Sequence, residues 1–124
     1  MKSLIFIISI LAVFFQVKIY AKSISENVYH ISGRSLGDRI FTGSTINRGE
    51  NLQSVNGIYI AAMQTDGNFC VYRKDQLYAI WCSSTDHVGF YLTFQTDGNL
   101  CIYSVANNLK WQSNTAYKGH TLVM

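Results

Sequence analysis

The sequence predicts an all-β fold on the basis of three observations. From Arg39 onward, short apolar runs alternate with turn residues, a spacing that is typical of small β-sheet domains. No window in this region combines helical periodicity with capping residues. A ten-residue phrase also occurs twice, as MQTDGNFCVY at 63–72 and FQTDGNLCIY at 94–103, with seven identical positions and an interval of 31 residues. Because such repeats mark chains assembled from similar units, the duplication favours a fold of stacked β units.

The first 21 residues have the composition of a secretory signal peptide. Lys2 places a positive charge near the start, residues 4–15 are apolar apart from Ser9, and Ala21 is a small residue suited to cleavage. The apolar stretch is shorter than the roughly 20 residues of a membrane-spanning helix. We therefore predict a signal peptide over residues 1–21, secretion to the extracellular space, and no membrane association of the mature chain.

Charge and length limit the organisation and the partners of the remaining chain. The sequence has 124 residues and a formal charge of +3, and removal of the predicted signal with Lys2 and Lys18 lowers the charge to +1. A charge this small provides no basic surface for nucleic acid. Residues 22–38 are polar and weakly patterned, so we predict an N-terminal extension there and a single domain over residues 39–124.

The first strands of that domain follow the apolar runs in order. Apolar residues at 40–41, at 46, and at 52 and 55 each precede a turn that contains Gly or Asn. Residues 58–63 have the composition of a strand and lead directly into the first copy of the phrase.

Each copy of the phrase begins a longer unit. A loop follows each copy, and then a second strand follows at 80–85 (IWCSST) and at 110–115 (KWQSNT), in which Trp, Ser and Thr recur at an interval of 30 residues. Each unit is therefore predicted as strand, loop and strand, with Trp81 and Trp111 in the core.

Side-chain alternation gives each phrase one polar face if the phrase is read as a strand. An amide, a carboxylate, a second amide, a thiol and a phenol share that face. These residues are Gln64, Asp66, Asn68, Cys70 and Tyr72 in the first copy and Gln95, Asp97, Asn99, Cys101 and Tyr103 in the second. Such a row offers directed donors and acceptors and no strong nucleophile, which suits a neutral ligand with many hydroxyl groups.

A hairpin is the competing interpretation of the same phrase. Asp-Gly is a strong signal for a two-residue turn, and residues 65–68 would then form a type I′ turn whose polar side chains serve only the turn. The residue pattern by itself leaves both interpretations open.

The phrase resembles the motif QxDxNxVxY, the carbohydrate-site signature of the bulb-type, mannose-binding lectins of monocot plants. The resemblance covers residues 39–124, where 40–43, 49–52 and the two Trp-containing strands follow the order of the family. It implies a β-prism II fold, in which three small antiparallel sheets surround a pseudo-threefold axis and tryptophans meet inside. It also implies that TDGN lies within a strand, and on this ground we expect the strand and not the hairpin.

The resemblance further implies two carbohydrate-binding sites that need no metal, cofactor or catalytic residue. In the family, the Gln, Asp, Asn and Tyr bind mannose hydroxyl groups, the Asp and Asn read the axial 2-hydroxyl, and the Val packs against the sugar ring. The matching polar residues are Gln64, Asp66, Asn68 and Tyr72 in one site and Gln95, Asp97, Asn99 and Tyr103 in the other. Cys70 and Cys101 stand at the Val position, where a reduced cysteine acts as a small apolar group.

Three cysteines in a secreted chain leave the disulfide pattern open. If Val71 pairs with Trp81, then Cys70 faces Cys82 at a separation that is marginal for a disulfide. Three unbridged thiols are the alternative.

Two further positions complete the cysteine pattern. Gln112 stands at the matching place opposite Cys101, which indicates a free thiol or an intermolecular bridge at Cys101. The family often has another disulfide, for which Gly67 and Phe90 occupy the expected positions here, so we expect that bridge to be absent.

The third sheet of the implied prism is expected to be incomplete. Residues 119–124 repeat the pattern of residues 89–94, which lead into the second copy, but a third copy would begin after Met124. Trp81 and Trp111 are then expected to lose cover. A fragment or truncated gene is the favoured explanation; strands from a partner chain, as in a homodimer formed by strand exchange, and poor folding alone are the others.

We therefore predict a secreted, non-enzymatic lectin that recognises terminal α-D-mannose on glycans or glycoproteins. The alternative is a related module that has lost sugar binding and serves as a structural, storage or protein-interaction domain. A glycoside hydrolase would need two facing carboxylates, and each phrase has one. The histidines show no metal-ligand spacing, and a thiol enzyme based on Cys82 and His87 would lack an orienting group.

Overall fold

Eleven strands make up the part of the chain that the computed structural model describes, residues 33–76 and 78–124, and no helix occurs in it. The strands are β1 (Arg34–Ser35), β2 (Arg39–Phe41), β3 (Thr45–Asn47), β4 (Glu50–Gln53), β5 (Tyr59–Met63), β6 (Phe69–Arg73), β7 (Ala79–Cys82), β8 (Tyr91–Phe94), β9 (Leu100–Tyr103), β10 (Leu109–Gln112) and β11 (Thr121–Val123). The described residues contain no helix long and apolar enough to cross a membrane. The all-β prediction is confirmed, whereas the predicted signal peptide lies outside the described residues.

The strands form three sheets of unequal size. The first sheet has the order β1-β4-β5-β6-β7, the second has the order β10-β9-β8-β3, and the third consists of β11 and β2. The pairings are antiparallel except that of β1 with β4. The predicted arrangement of three small sheets with an incomplete third is confirmed. β1 lies within the segment predicted as an extension, and the domain boundary at Arg39 stays a prediction.

The core lies where the three sheets face one another. Its most enclosed side chains have no exposed surface and come from five different strands: Ile46, Leu52, Met63, Leu92 and Ile102. Complete burial of an aliphatic side chain of this size stabilises the fold by about 1.5–3 kcal/mol. The first two sheets supply all five of these residues.

The third sheet covers less of the core than the other two. The rings of Trp81 and Trp111 meet edge to face with their centroids 5.4 Å apart, as expected, but Trp81 is 42% exposed. A cleft of about 280 Å³ opens beside the third sheet between Phe94, Leu100 and Leu122. Trp81 thus lies outside the core in which it was predicted, in agreement with the expected loss of cover, whereas Trp111 is half-buried against the core.

The backbone of the repeated phrase is a hairpin, so the prediction that TDGN lies within a strand is wrong. Met63 on β5 pairs with Phe69 on β6, and residues 64–68 make the turn between them. The Gly67 N–H donates to the Gln64 carbonyl at 3.0 Å, and Gly67 has a φ of 95°. The second copy repeats this turn between β8 and β9.

The hairpin also differs from the type I′ turn that the Asp-Gly pair suggested. A type I′ turn needs a positive φ at both central residues, and Asp66 does not have one. Instead the Asp66 carboxylate accepts the Asn68 N–H at 2.8 Å, and Asp97 accepts the Asn99 N–H at the same distance. These side-chain contacts stabilise a longer loop that ends on a left-handed glycine.

The backbones of Gly67 and Gly89 approach closely where the family disulfide was expected to be missing. A Cβ atom added to Gly67 would lie 2.2 Å from the Gly89 carbonyl oxygen, so only glycine fits this contact. Phe90, the predicted counterpart of Gly67, is exposed. The Arg48 guanidinium lies over its ring, with the guanidinium carbon 5.3 Å from the Phe90 ring centroid. The neighbour of Gly67 is therefore Gly89 and not Phe90.

Candidate functional sites

Each polar row forms a cluster at the end of a hairpin. We call Gln64, Asp66, Asn68, Cys70 and Tyr72 the first site, and Gln95, Asp97, Asn99, Cys101 and Tyr103 the second site. In each site the first two residues lie in the turn, the Asn precedes a strand, and the Cys and Tyr lie on one face of that strand. The structure therefore brings the predicted residues of each site together, although the turn and not a continuous strand does so.

A Gln–Tyr pair lies at the base of each site. The Gln64 side-chain amide donates to the Tyr72 hydroxyl oxygen, and Gln95 donates to Tyr103 at 2.8 Å. Burial raises the pKa of both tyrosines, so they keep their protons at neutral pH. Because each hydroxyl oxygen accepts from an amide, its hydrogen remains directed to a further acceptor such as a sugar oxygen.

A Ser and a Thr that follow the next strand fix the Asn of each site. The Asn68 side-chain oxygen accepts from Ser83 Oγ and from the Thr85 N–H, each at 3.1 Å. The Asn99 oxygen accepts in the same way from Ser113 at 3.2 Å and Thr115 at 3.1 Å. Since a backbone N–H can only donate, these contacts identify the amide oxygen and direct each Nδ2 to the opposite side.

These Ser and Thr residues are supporting residues that the sequence analysis did not place in the sites. Ser83 and Thr85 also contact each other at 2.8 Å, and Thr85 donates to the Gly67 carbonyl at 2.9 Å. Their recurrence at one interval in the Trp-containing strands was the available signal. The sequence alone did not show that these strands return to the turn of the preceding hairpin.

The two sites differ first at their cysteines. Val71 pairs with Trp81 and Cys70 with Cys82, and the Cys70 and Cys82 sulfur atoms are joined in a disulfide. Cys101 is buried and has no disulfide partner among the described residues. Its thiol contacts Gln95 Oε1 at 3.4 Å, and burial raises its pKa. Cys70 Sγ lies 3.6 Å from Gln64 Oε1, but a disulfide sulfur carries no proton to donate.

The second difference is Gln112. This residue pairs with Cys101 in the strand register, as Cys82 pairs with Cys70. Its side-chain oxygen accepts from Asn99 Nδ2 at 2.9 Å. No described residue makes the corresponding contact with Asn68 Nδ2 in the first site.

The two sites also differ in exposure. The Gln and the Tyr are more exposed in the second site, whereas the Asn is more exposed in the first. Gln64 and Tyr72 are only 4% and 6% exposed, whereas their counterparts in the second site are half-buried. Asn99 is 7% exposed, whereas Asn68 is half-buried. The Asn that donates to Gln112 is therefore the less exposed of the two.

The chemistry of both sites suits binding better than reaction. Each has a single carboxylate, and Cys70 is bonded to Cys82 and carries no thiol. Within residues 33–76 and 78–124, no three His, Cys, Asp or Glu side chains are placed to share a metal ion. What each site presents is a set of hydrogen-bonding groups that the surrounding contacts hold in place.

Comparison with solved structures shows relatives of the same architecture. The mannose-specific agglutinin from snowdrop (Galanthus nivalis) bulbs, complexed with methyl-α-D-mannoside, has 32% sequence identity and a TM-score of 0.60, over 69% of this chain and 79% of that chain. A monomeric monocot mannose-binding lectin from Gastrodia elata has 34% identity and a TM-score of 0.60, over 69% and 77%.

The other comparisons either show a shared fold or find no match. A lectin from the fungus Marasmius oreades has 23% identity and a TM-score of 0.67, over 74% of this chain and 78% of that chain, which shows a shared fold. No family model matches the sequence, and a search of curated proteins finds no match.

Proposed function

The chain belongs to the family of monocot mannose-binding bulb lectins, and we propose that it is a secreted lectin that binds terminal α-D-mannose on glycans and glycoproteins. Family membership makes it a carbohydrate-binding lectin. The prediction that the chain is not an enzyme is confirmed by the same membership, since lectins bind sugars without altering them. Binding in the first and second sites is the specific part of the proposal.

The observation that carries the proposal is the repetition of one hydrogen-bonding arrangement in two sites. In each site an Asp carboxylate, an Asn amide and a Tyr hydroxyl are held in place by internal contacts, although in the second site the Asn99 amide nitrogen already donates to Gln112. Groups that are fixed before binding lose little conformational entropy when the ligand arrives. The snowdrop relative, which is complexed with a methyl mannoside, supports mannose as the ligand.

The expected affinity of one site is low. A net hydrogen bond contributes about 1 kcal/mol, and slightly more when it involves a charged group such as Asp66. Four or five such bonds give roughly −4 to −6 kcal/mol before ordering costs, and millimolar binding corresponds to about −4 kcal/mol. Simultaneous use of both sites on a branched glycan raises the avidity by about 10²–10⁴.

The compartment and the assembly are further parts of the proposal. The Cys70–Cys82 disulfide supports an oxidising, extracellular location, because disulfides persist there and are rare in the cytosol. A homodimer formed by strand exchange would add strands beside β2 and β11. Such strands would cover the cleft at Leu122.

The test is retention of purified residues 22–124 on immobilised mannose, with elution by free methyl α-mannoside. A double variant, Asp66→Asn with Asp97→Asn, should no longer be retained. Asn is a better replacement than Ala, because its side-chain oxygen still accepts the turn N–H that Asp66 and Asp97 accept. Asp75→Asn is the matched control, since Asp75 is an exposed residue that pairs with Arg73 outside both sites.

Circular dichroism of each sample decides how the result is interpreted. Retention of the control and loss of the double variant, both with the β-sheet signal intact, is the expected result. A folded wild-type chain that passes through the column would overturn the proposal. It would favour a module that has lost sugar binding, with the disulfide at the Val position of the first site as the first suspect.

A further inference from the structure

We infer that Gln112 determines the affinity of the second site, because its side chain occupies the amide that a sugar would use. This inference rests on the proposed function and names a residue that controls one of its two sites. Gln112 lies on β10, outside the repeated phrase, and neither copy of the phrase contains a counterpart.

The first step of the argument is the orientation of Asn99. Its side-chain oxygen accepts the Thr115 N–H at 3.1 Å and Ser113 Oγ at 3.2 Å, so Nδ2 points away from both. Gln112 Oε1 accepts from this Nδ2 at 2.9 Å. This distance is typical of an N–H···O hydrogen bond. The glutamine oxygen therefore occupies the position that an oxygen atom of a ligand would take.

The second step is the comparison with the first site. Asn68 is held by Ser83 and Thr85 in the same way, yet no described residue accepts from its Nδ2. The position that matches Gln112 is Cys82, whose side chain is joined to Cys70 and cannot reach Asn68. The two sites therefore share one architecture and differ in whether the Asn amide is already occupied.

The third step is burial. Asn99 is 7% exposed and Asn68 is half-buried, although Gln95 and Tyr103 are more exposed than Gln64 and Tyr72. The second site is thus more open at its Gln and Tyr, is similar at its Asp and Cys, and is more closed only at the Asn that donates to Gln112. Gln112 itself is exposed, so its side chain is free to move aside when a sugar displaces it.

A sugar that displaces the Gln112 side chain exchanges one hydrogen bond for another, and the lost bond weakens the net binding. A sugar that enters the second site must break the Asn99–Gln112 bond before it gains the amide. One net hydrogen bond corresponds to a change in affinity of roughly 3–10-fold. We expect Gln112→Ala to strengthen binding at the second site by that factor and to leave the first site unchanged.

The experiment uses proteins with one working site, residues 22–124 in each case. Asp66→Asn leaves the second site, Asp97→Asn leaves the first, and methyl α-mannoside is titrated into each with NMR detection. Gln112→Ala is then added to both, and Gln112→Glu, which keeps an acceptor oxygen, is added to the Asp66→Asn protein. The expected result is a 3–10-fold gain only for Gln112→Ala with the second site working, and no gain with Gln112→Glu.

Two outcomes would overturn the inference, and they are distinguishable from failure of the proposed function. A change of less than about twofold on Gln112→Ala, in a second site that binds mannoside, would show that Gln112 does not control it. An equal gain in both single-site proteins would show an indirect effect. Absence of binding in both folded single-site proteins would overturn the proposed function and the inference with it.

A ligand-free measurement on the same samples tests the contact directly. In the wild-type protein, the Asn99 side-chain NH₂ signals should show slower hydrogen exchange than those of Asn68. Gln112→Ala should remove this difference. Equal exchange of the two amides before the substitution would overturn the inference regardless of any sugar titration.

Discussion

The first two sheets and the third sheet show how unevenly this small prism is stabilised. The first two contain nine strands, supply the side chains with no exposed surface, and carry both candidate sites. The third contains two strands, and an apolar cleft remains open beside it. The binding geometry thus belongs to the hairpins of the complete sheets, whereas the third sheet affects mainly how well the core is enclosed.

The largest expected difference is in the loss of stability when one leucine from each region is replaced by alanine. Leu92 has no exposed surface in the second sheet, and Leu122 is half-buried in the third. Leu92→Ala should lower the free energy of unfolding by about 2–5 kcal/mol, because it leaves a cavity among packed neighbours. Leu122→Ala should cost less than half of that. Urea unfolding of both variants measures the difference, and equal losses would show that the third sheet is as well packed as the second.

The disulfide of the first sheet is expected to have the next largest effect. Cys70→Ala with Cys82→Ala removes a bridge between residues 12 apart in sequence and should lower the free energy of unfolding by roughly 2–3 kcal/mol. Cys101→Ala is the control and should cost about 1 kcal/mol, since it removes only a small buried side chain. If thermal melting of the double variant matched that of the control, the bridge would contribute nothing beyond packing.

A pair of glycines at equivalent places in the repeat should show a smaller difference. A Cβ atom on Gly89 would lie 2.2 Å from the Gly67 carbonyl oxygen, whereas a Cβ atom on Gly119 would meet nothing within 4 Å. Gly89→Ala should therefore cost about 1–3 kcal/mol through forced backbone movement, and Gly119→Ala should change stability by less than about 0.5 kcal/mol. Chemical denaturation gives both values. A large loss at Gly119 would contradict the open packing found beside the third sheet.

The smallest expected effect is a difference between the first two sheets in how pH changes their contribution to stability. Burial raises the pKa of the Cys101 thiol, whereas the bridged Cys70 has no thiol to titrate. The unfolded chain then loses this proton at a lower pH than the folded chain does. The stabilisation is therefore complete below the ordinary thiol pKa of about 8.5 and is lost as the pH rises through the folded pKa.

Melting temperatures at neutral and alkaline pH test this prediction. The wild-type protein should lose slightly more stability on going to about pH 9.5 than Cys101→Ala does, because only the wild type has a buried thiol to ionise. The raised pKa of Tyr72 does not involve Cys101 and cancels in the comparison, whereas burial and Cys101 together raise the pKa of Tyr103, so the difference reports the thiol together with its effect on Tyr103. An equal decrease in both proteins would remove Cys101 as the cause.

The sequence and the structure agree best where the signal is local or repeated. The alternation of apolar and turn residues predicted an all-β chain, and the duplicated phrase predicted two equivalent sites. The register that sets Val71 opposite Trp81 and Cys70 opposite Cys82 was one of the possibilities that the sequence left open, and the structure has it. Such features depend on residues that are close in sequence, so they can be read without knowledge of the complete fold.

The disagreements concern the backbone of the phrase and contacts between distant segments. Asp-Gly indicated a hairpin, but the motif resemblance led to a strand, and the structure has a turn that Asp66 and Gly67 stabilise. The roles of Ser83 and Thr85 were missed, because they depend on the return of β7 to the preceding turn. A motif lists which residues share a site and does not state the backbone that joins them.

The sequence by itself predicted the fold class, the family and the ten residues of the two candidate sites, because periodicity and repetition are written in the order of the chain. Only the tertiary structure decided that Gly67 meets Gly89, that Cys70 and Cys82 are bonded while Cys101 is not, and that Gln112 occupies the amide of Asn99. Each of these depends on the distance between groups on different strands or loops. That distance is set by the packing of sheets around the core, which no single stretch of sequence specifies.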